Sequence, residues 1–102
     1  MYRSEFPDYD DTLRIPKGFK DVSWHNDIMP HVRKIMEYGN TEIILNIWQD
    51  YKATELREYE YRKQFILQLE VGTSSLTSNM IYEFESDDWS EIETELKKFY
   101  LD

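Results

Sequence analysis

From Thr41 to Tyr51 the chain reads TEIILNIWQDY: Ile43, Leu45 and Ile47 fall on one side of an extended backbone, and Ile44, Asn46 and Trp48 on the other. This is a strand pattern with one wholly apolar face. The same two-residue period recurs in YEYRKQFILQLEV, where Phe65, Leu67, Leu69 and Val71 alternate with Gln64, Ile66, Gln68 and Glu70. It returns in MIYEFE, where Met80, Tyr82 and Phe84 oppose Ile81, Glu83 and Glu85. The polar stretches KATELRE and GTSSLTSN between these runs read as a hairpin tip and a loop.

The period changes in the closing segment, SDDWSEIETELKKFYLD. Trp89, Ile92, Leu96, Phe99 and Tyr100 recur at helical spacing, and Asp88 and Glu91 stand as a capping box would require. Asp87 adds negative charge at the start of the helix, and Lys97 and Lys98 lie where its dipole favours cations. This helix is predicted to cover the apolar face formed by the three strands. A second, short helix is predicted over Pro30–Tyr38, with Asp27 and Pro30 as start signals, Val32, Ile35 and Met36 at helical spacing, and Gly39 as the terminator. Residues 1–20, with two prolines, one glycine and no sustained period, read as an irregular arm that Phe6, Tyr9, Leu13, Ile15 and Phe19 dock onto the rest.

The expected fold is therefore α+β: a three-stranded antiparallel meander packed on a C-terminal helix in a two-layer sandwich, with the arm and one short helix elsewhere. A chain of 102 residues is expected to form a single domain, residues 1–102, whose core rests on large rings (3 Trp, 8 Tyr and 5 Phe). The second face of the sheet, with Ile44, Trp48, Ile66 and Ile81, then needs a cover. The arm and short helix are expected to supply it; left bare, it would suit a homodimer contact through the Trp48 face.

Charge narrows the range of partners. Residues 1–40 hold 7 acids and 6 bases, whereas residues 41–102 hold 14 acids and 6 bases, so most of the net −9 lies in the second part. Such a surface repels the phosphates of nucleic acid and of anionic lipid, and neither is an expected partner. No apolar run approaches the ~20 residues needed to span a bilayer, and no cysteine is present to form disulfides or thiolate metal sites. A cytoplasmic location is the expectation.

Both histidines lie in DVSWHNDIMPH, where Asp21, His25, Asp27 and His31 offer the nitrogen and oxygen donors that bind divalent metals. Their spacing argues against that chemistry: His25 and His31 are six apart with Pro30 between them, not at the i, i+4 spacing that aligns two imidazoles. The stretch reads instead as a loop in which Asp21, Asn26 and Asp27 bond to backbone amides and Trp24 is an anchor. A Gly-rich phosphate loop, a Gly-x-Ser-x-Gly elbow and a Ser/His/Asp set are all missing from the sequence. No cofactor, metal or catalytic residue is expected, and a metal-dependent or acid/base enzyme using Asp21, His25, Asp27 and His31 is the alternative.

The strongest signal is electrostatic. Between Asn79 and Leu96 there is no Lys or Arg, while Glu83, Glu85, Asp87, Asp88, Glu91, Glu93 and Glu95 supply seven negative charges. Upstream, DYKATELREYEYRK interleaves tyrosines with basic residues, the types that interfaces favour. Expected partner-binding residues are Glu83, Glu85, Asp87, Asp88, Glu91 and Glu95, with Tyr59 and Arg57. The function expected is that of a small acidic, non-enzymatic interaction module, of an inhibitor or immunity type, that docks on a basic protein.

Overall fold

In a computed structural model describing residues 1–57, 61–73 and 78–99, the chain is α+β, an antiparallel sheet with a C-terminal helix. Its elements are helix α1 (Tyr2–Glu5), strands β1 (Lys20–Asp21), β2 (His31–Tyr38), β3 (Thr41–Gln49), β4 (Phe65–Thr73) and β5 (Ser78–Ser86), and helix α2 (Trp89–Leu96). Short 3-10 turns occupy Thr54–Leu56 and Lys97–Phe99. The strands lie in chain order, β1-β2-β3-β4-β5, so the sheet has five strands, not three.

The segment expected to be a short helix, Pro30–Tyr38, forms β2. Val32 pairs with Ile47, Lys34 with Leu45 and Met36 with Ile43, which turns Val32 and Met36 to the core and Ile35 to the other face. A helix this short is marginal without tertiary support. As a strand, the same residues complete a full ladder with β3. Gly39 does not end a helix: Tyr38 pairs with Thr41, so Gly39-Asn40 is a two-residue turn, and Gly39 at φ 62° adopts the left-handed backbone such a turn requires. The arm is also less irregular than expected, since it contains α1 and ends in β1, whose Lys20 and Asp21 pair with Arg33 and Val32.

The core lies between the sheet and α2. Leu45, Ile47, Phe65, Leu67 and Leu69 from the sheet meet Ile92 and Leu96 from the helix, and Leu13, Phe19 and Val32 complete the cluster. Trp89 and Phe99 pack against it as the helical spacing predicts; Tyr100 lies outside the described residues. Asp88 caps α2 by accepting the Ser90 N–H at 2.9 Å, but Glu91 does not reach back to Asp88. It accepts the Ser86 hydroxyl, whose oxygen accepts the Asp88 N–H at 3.0 Å, so a serine mediates the capping box.

The arm is docked on the core, by rings and by polar clamps. Tyr9 is buried and its hydroxyl donates to the Asp50 carbonyl at 3.1 Å. Gln49, also buried, accepts from Arg14 N–H at 3.0 Å and donates to the Thr12 carbonyl at 2.8 Å. These bonds tie the arm to Gln49 and Asp50 at the end of β3.

One alternation fails in β5. Leu69 pairs with Tyr82 but Glu70 pairs with Met80, so Ile81 is an extra residue bulged out of the ladder. Beyond the bulge Met80 crosses to the face of Glu70 instead of joining Tyr82 and Phe84, and it is 52 % exposed.

Candidate functional site

The second sheet face is covered at one end, and the cover is the histidine segment. Asn26 to Met29 fold over Trp48 and Ile66, leaving a half-open groove of about 340 Å³ whose polar wall is Asp27, Arg62 and Gln68. Met29 and Ile66 are buried and Trp48 is half-buried, its indole N–H donating to Gln68 Oε1 at 2.9 Å. The arm, expected to share in this cover, packs on the helix side instead. At the other end of the face Ile35 and Met80 are about half exposed.

Within the cover the two histidines part company. His25 is exposed, and its Nδ1 lies 2.9 Å from Glu5 Oε2 of α1. His31 is buried and stacks on Trp48 with ring centroids 3.8 Å apart and planes 17° apart. Asp21 accepts the N–H groups of Tyr2 and Ser23. Asp27 comes closest to His31, 3.8 Å from its Nδ1. Among the described residues no group of three or more His, Asp or Glu side chains is arranged to hold a metal ion. The four candidates are thus spread over an exposed hydrogen bond, a backbone clamp and a buried stack.

His31 belongs to a polar chain across the face. Arg33 Nε donates to Asn46 Oδ1 at 2.8 Å and Asn46 Nδ2 donates to Glu70 at 2.8 Å, which orients the amide. His31 Nε2, 3.2 Å from the same Oδ1, therefore carries the proton, and Nδ1 is a buried lone pair with no hydrogen bond. Burial, reinforced by the Arg33 charge, holds the His31 pKa below its ordinary value; Asn46 and the Asp27 and Asp21 charges oppose this. In the unfolded chain the ring takes its proton near ~6.5, so below that pH the unfolded state binds more protons and folding weakens as pH falls. We expect the urea midpoint of the wild type to fall more between about pH 7.5 and 5.5 than that of His31→Gln. Equal slopes would show that His31 is not buried as a neutral ring.

The acidic ridge is built from β5 and α2, and much of its charge is paired within the chain. Arg62 reaches Glu83 at 2.5 Å and Glu85 at 2.8 Å on the second sheet face. Asp87 accepts the Gln64 N–H at 2.8 Å and lies 3.2 Å from Arg57 and 3.7 Å from Lys63. Burial opposes ionisation of Asp87, but the Gln64 N–H and the two cations outweigh it and hold the carboxyl below its usual range. Glu95 accepts the Tyr82 hydroxyl and pairs with Lys98 at 3.1 Å. That bond to Glu95, followed by burial, pushes the Tyr82 hydroxyl up to about 12. Asp88, Glu91 and Glu93 are exposed on α2, and no basic side chain among the described residues forms an ion pair with them.

Of the two residues expected from the hairpin tip, Tyr59 lies outside the described residues. Arg57 is turned inward, its side chain only 4 % exposed, and it donates to the carbonyls of Tyr51, Lys52 and Arg62 as well as to Asp87. What the sequence reading missed is the open edge: β5 pairs with β4 on one side, and among the described residues no strand pairs with its other side. The signal for it was the acidic alternation of β5 itself, since charged side chains are a common guard of sheet edges. No helix of the described residues is long and apolar enough to cross a membrane. No family model, curated protein or solved structure matches this chain.

Proposed function

We propose that this protein is a non-enzymatic interaction module whose acidic edge, β5 with α2, docks on a basic surface of another protein, in the manner of an inhibitor or immunity-type protein. The observation that carries the reading is the placement of the charge. The stretch without Lys or Arg folds into an edge strand and the helix beside it, and Asp88, Glu91 and Glu93 project from that helix without a basic partner among the described residues. Glu83 and Glu85, shared with Arg62, lie on the other face of the same edge. Charge arranged in this way accelerates encounter with a basic partner and discriminates against acidic ones.

The test is kinetic. For a copurified protein partner, the association rate is expected to fall at least about tenfold from low to physiological salt, and to fall likewise at low salt in Glu91→Lys with Glu93→Lys. An association rate indifferent to salt and to this charge reversal would overturn the proposal.

A further inference from the structure

We infer that the partner contributes an extended basic segment that adds to the sheet as a sixth strand along the outer edge of β5. This rests on the functional reading above and specifies its mode of contact. An edge strand presents, at every second residue, an N–H and a C=O that point away from its neighbour. The β1 edge is two residues long, whereas β5 offers the regular run Tyr82–Ser86 beyond its bulge. Main-chain pairing of this kind supplies affinity, and pockets for alternate side chains supply specificity.

Such a pocket is present. A groove of about 300 Å³ runs between β5 and α2, lined by Phe84, Ser90, Glu91, Thr94 and Glu95. The Phe84 ring forms its apolar part, and Glu91 and Glu95, one helical turn apart, form its charged wall. An apolar floor beneath two carboxylates suits the methylene stem and charged head of Lys or Arg better than a wholly apolar side chain. On the opposite face of the added strand, alternate side chains would meet Glu83 and Glu85, which pair across the sheet with Gln68 and Ile66. Arg62 is shared by Glu83 and Glu85, and Lys98 meets Glu95 but not Glu91, so each face keeps a net negative charge and favours cations on the sixth strand. A second copy of this chain is a poor occupant, because it would bring another set of carboxylates to the same edge.

The probe is a synthetic peptide of about ten residues repeating Lys-Lys-Val-Val, which presents Lys on both faces of an added strand and is long enough to span the edge. Its control is the same peptide with every backbone nitrogen methylated, which keeps the charge and removes the donors. The unmodified peptide is expected to bind at least about tenfold more tightly than the control, and to shift the amide resonances of Tyr82–Ser86. In Glu91→Gln with Glu95→Gln, which keeps the hydrogen-bonding shape of both side chains, its affinity is expected to fall about three- to tenfold. Equal binding of the two peptides overturns strand addition but leaves the acidic-surface reading standing. Failure of the unmodified peptide to bind also overturns strand addition, and the salt dependence of the natural partner then decides the broader reading independently.

Discussion

Replacing Arg57 by Ala is expected to remove at least about 2 kcal/mol of stability, the cost of leaving several carbonyls without the buried charged donor that serves them. The guanidinium gathers the carbonyls of Tyr51 at 2.7 Å, Lys52 at 3.0 Å and Arg62 at 3.2 Å, along with Asp87 at 3.2 Å. It thereby ties Tyr51 and Lys52, which follow β3, to Arg62, which precedes β4. Truncation leaves acceptors without a donor and deprives Asp87 of the nearer of its two cations. Arg57→Lys should recover less than half of the loss, because one ammonium cannot reach acceptors arranged around a planar fork. Urea unfolding of the two variants measures this directly, and an Arg57→Ala unfolding free energy within about 1 kcal/mol of wild type would refute it. The same result bears on function, since lost binding in Arg57→Ala then reports a damaged connection and not a missing contact.

How far the fold was legible follows from where the determining information lies. The alternation in β3 and β4 and the helical stripe of α2 are local, and the structure has the same apolar residues in the core. In β2, Val32, Ile35 and Met36 fit a helical face, yet the strand was also encoded, because Gly39-Asn40 is a turn dipeptide that joins hairpin strands. The helical reading gave that glycine the wrong role. The bulge at Ile81 was not legible: a two-residue period carries no sign of where a strand gains a residue, so Met80 could not be assigned to its face.

The acidic ridge shows the same division. Its existence is a matter of counting residues, but its free charge depends on which cations the fold delivers. Arg62 lies more than twenty positions before Glu83 and Glu85 are both reached, and it neutralises much of that face. Likewise Lys98 reaches Glu95, while α2 keeps Asp88, Glu91 and Glu93 exposed. Of the histidine segment, residues 22–30 lie between Asp21 of β1 and His31 of β2; of Asp21, Asn26 and Asp27, all expected to bond to backbone amides, Asp21 does so, while Trp24 is half exposed and Met29 is the buried anchor. Nothing local predicted that His31 would stack on Trp48, because that contact depends on β2 being a strand paired with β3.

Phe65→Ala should cost about 3–5 kcal/mol, as large-to-small changes in packed cores do. At 2 % exposure Phe65 is where three parts of the molecule meet. It begins β4, its ring meets Trp89 of α2 edge to face at 5.2 Å, and the Arg14 guanidinium of the arm lies 5.2 Å from its centroid. The melting temperature is expected to fall by more than about 12 °C for a domain of this size. Phe65→Leu, which retains most of the volume, should lose about 1–2 kcal/mol, since it forfeits the ring geometry but leaves a smaller void. The arm's share can be isolated by a double-mutant cycle. Arg14→Met should cost about 0.5 kcal/mol more in the wild-type background than in Phe65→Ala, the low end for a cation over a ring because Arg14 is partly exposed. Strict additivity would mean that the arm is held by Tyr9, Leu13, Phe19 and the Gln49 clamp, without a contribution from the Arg14–Phe65 contact.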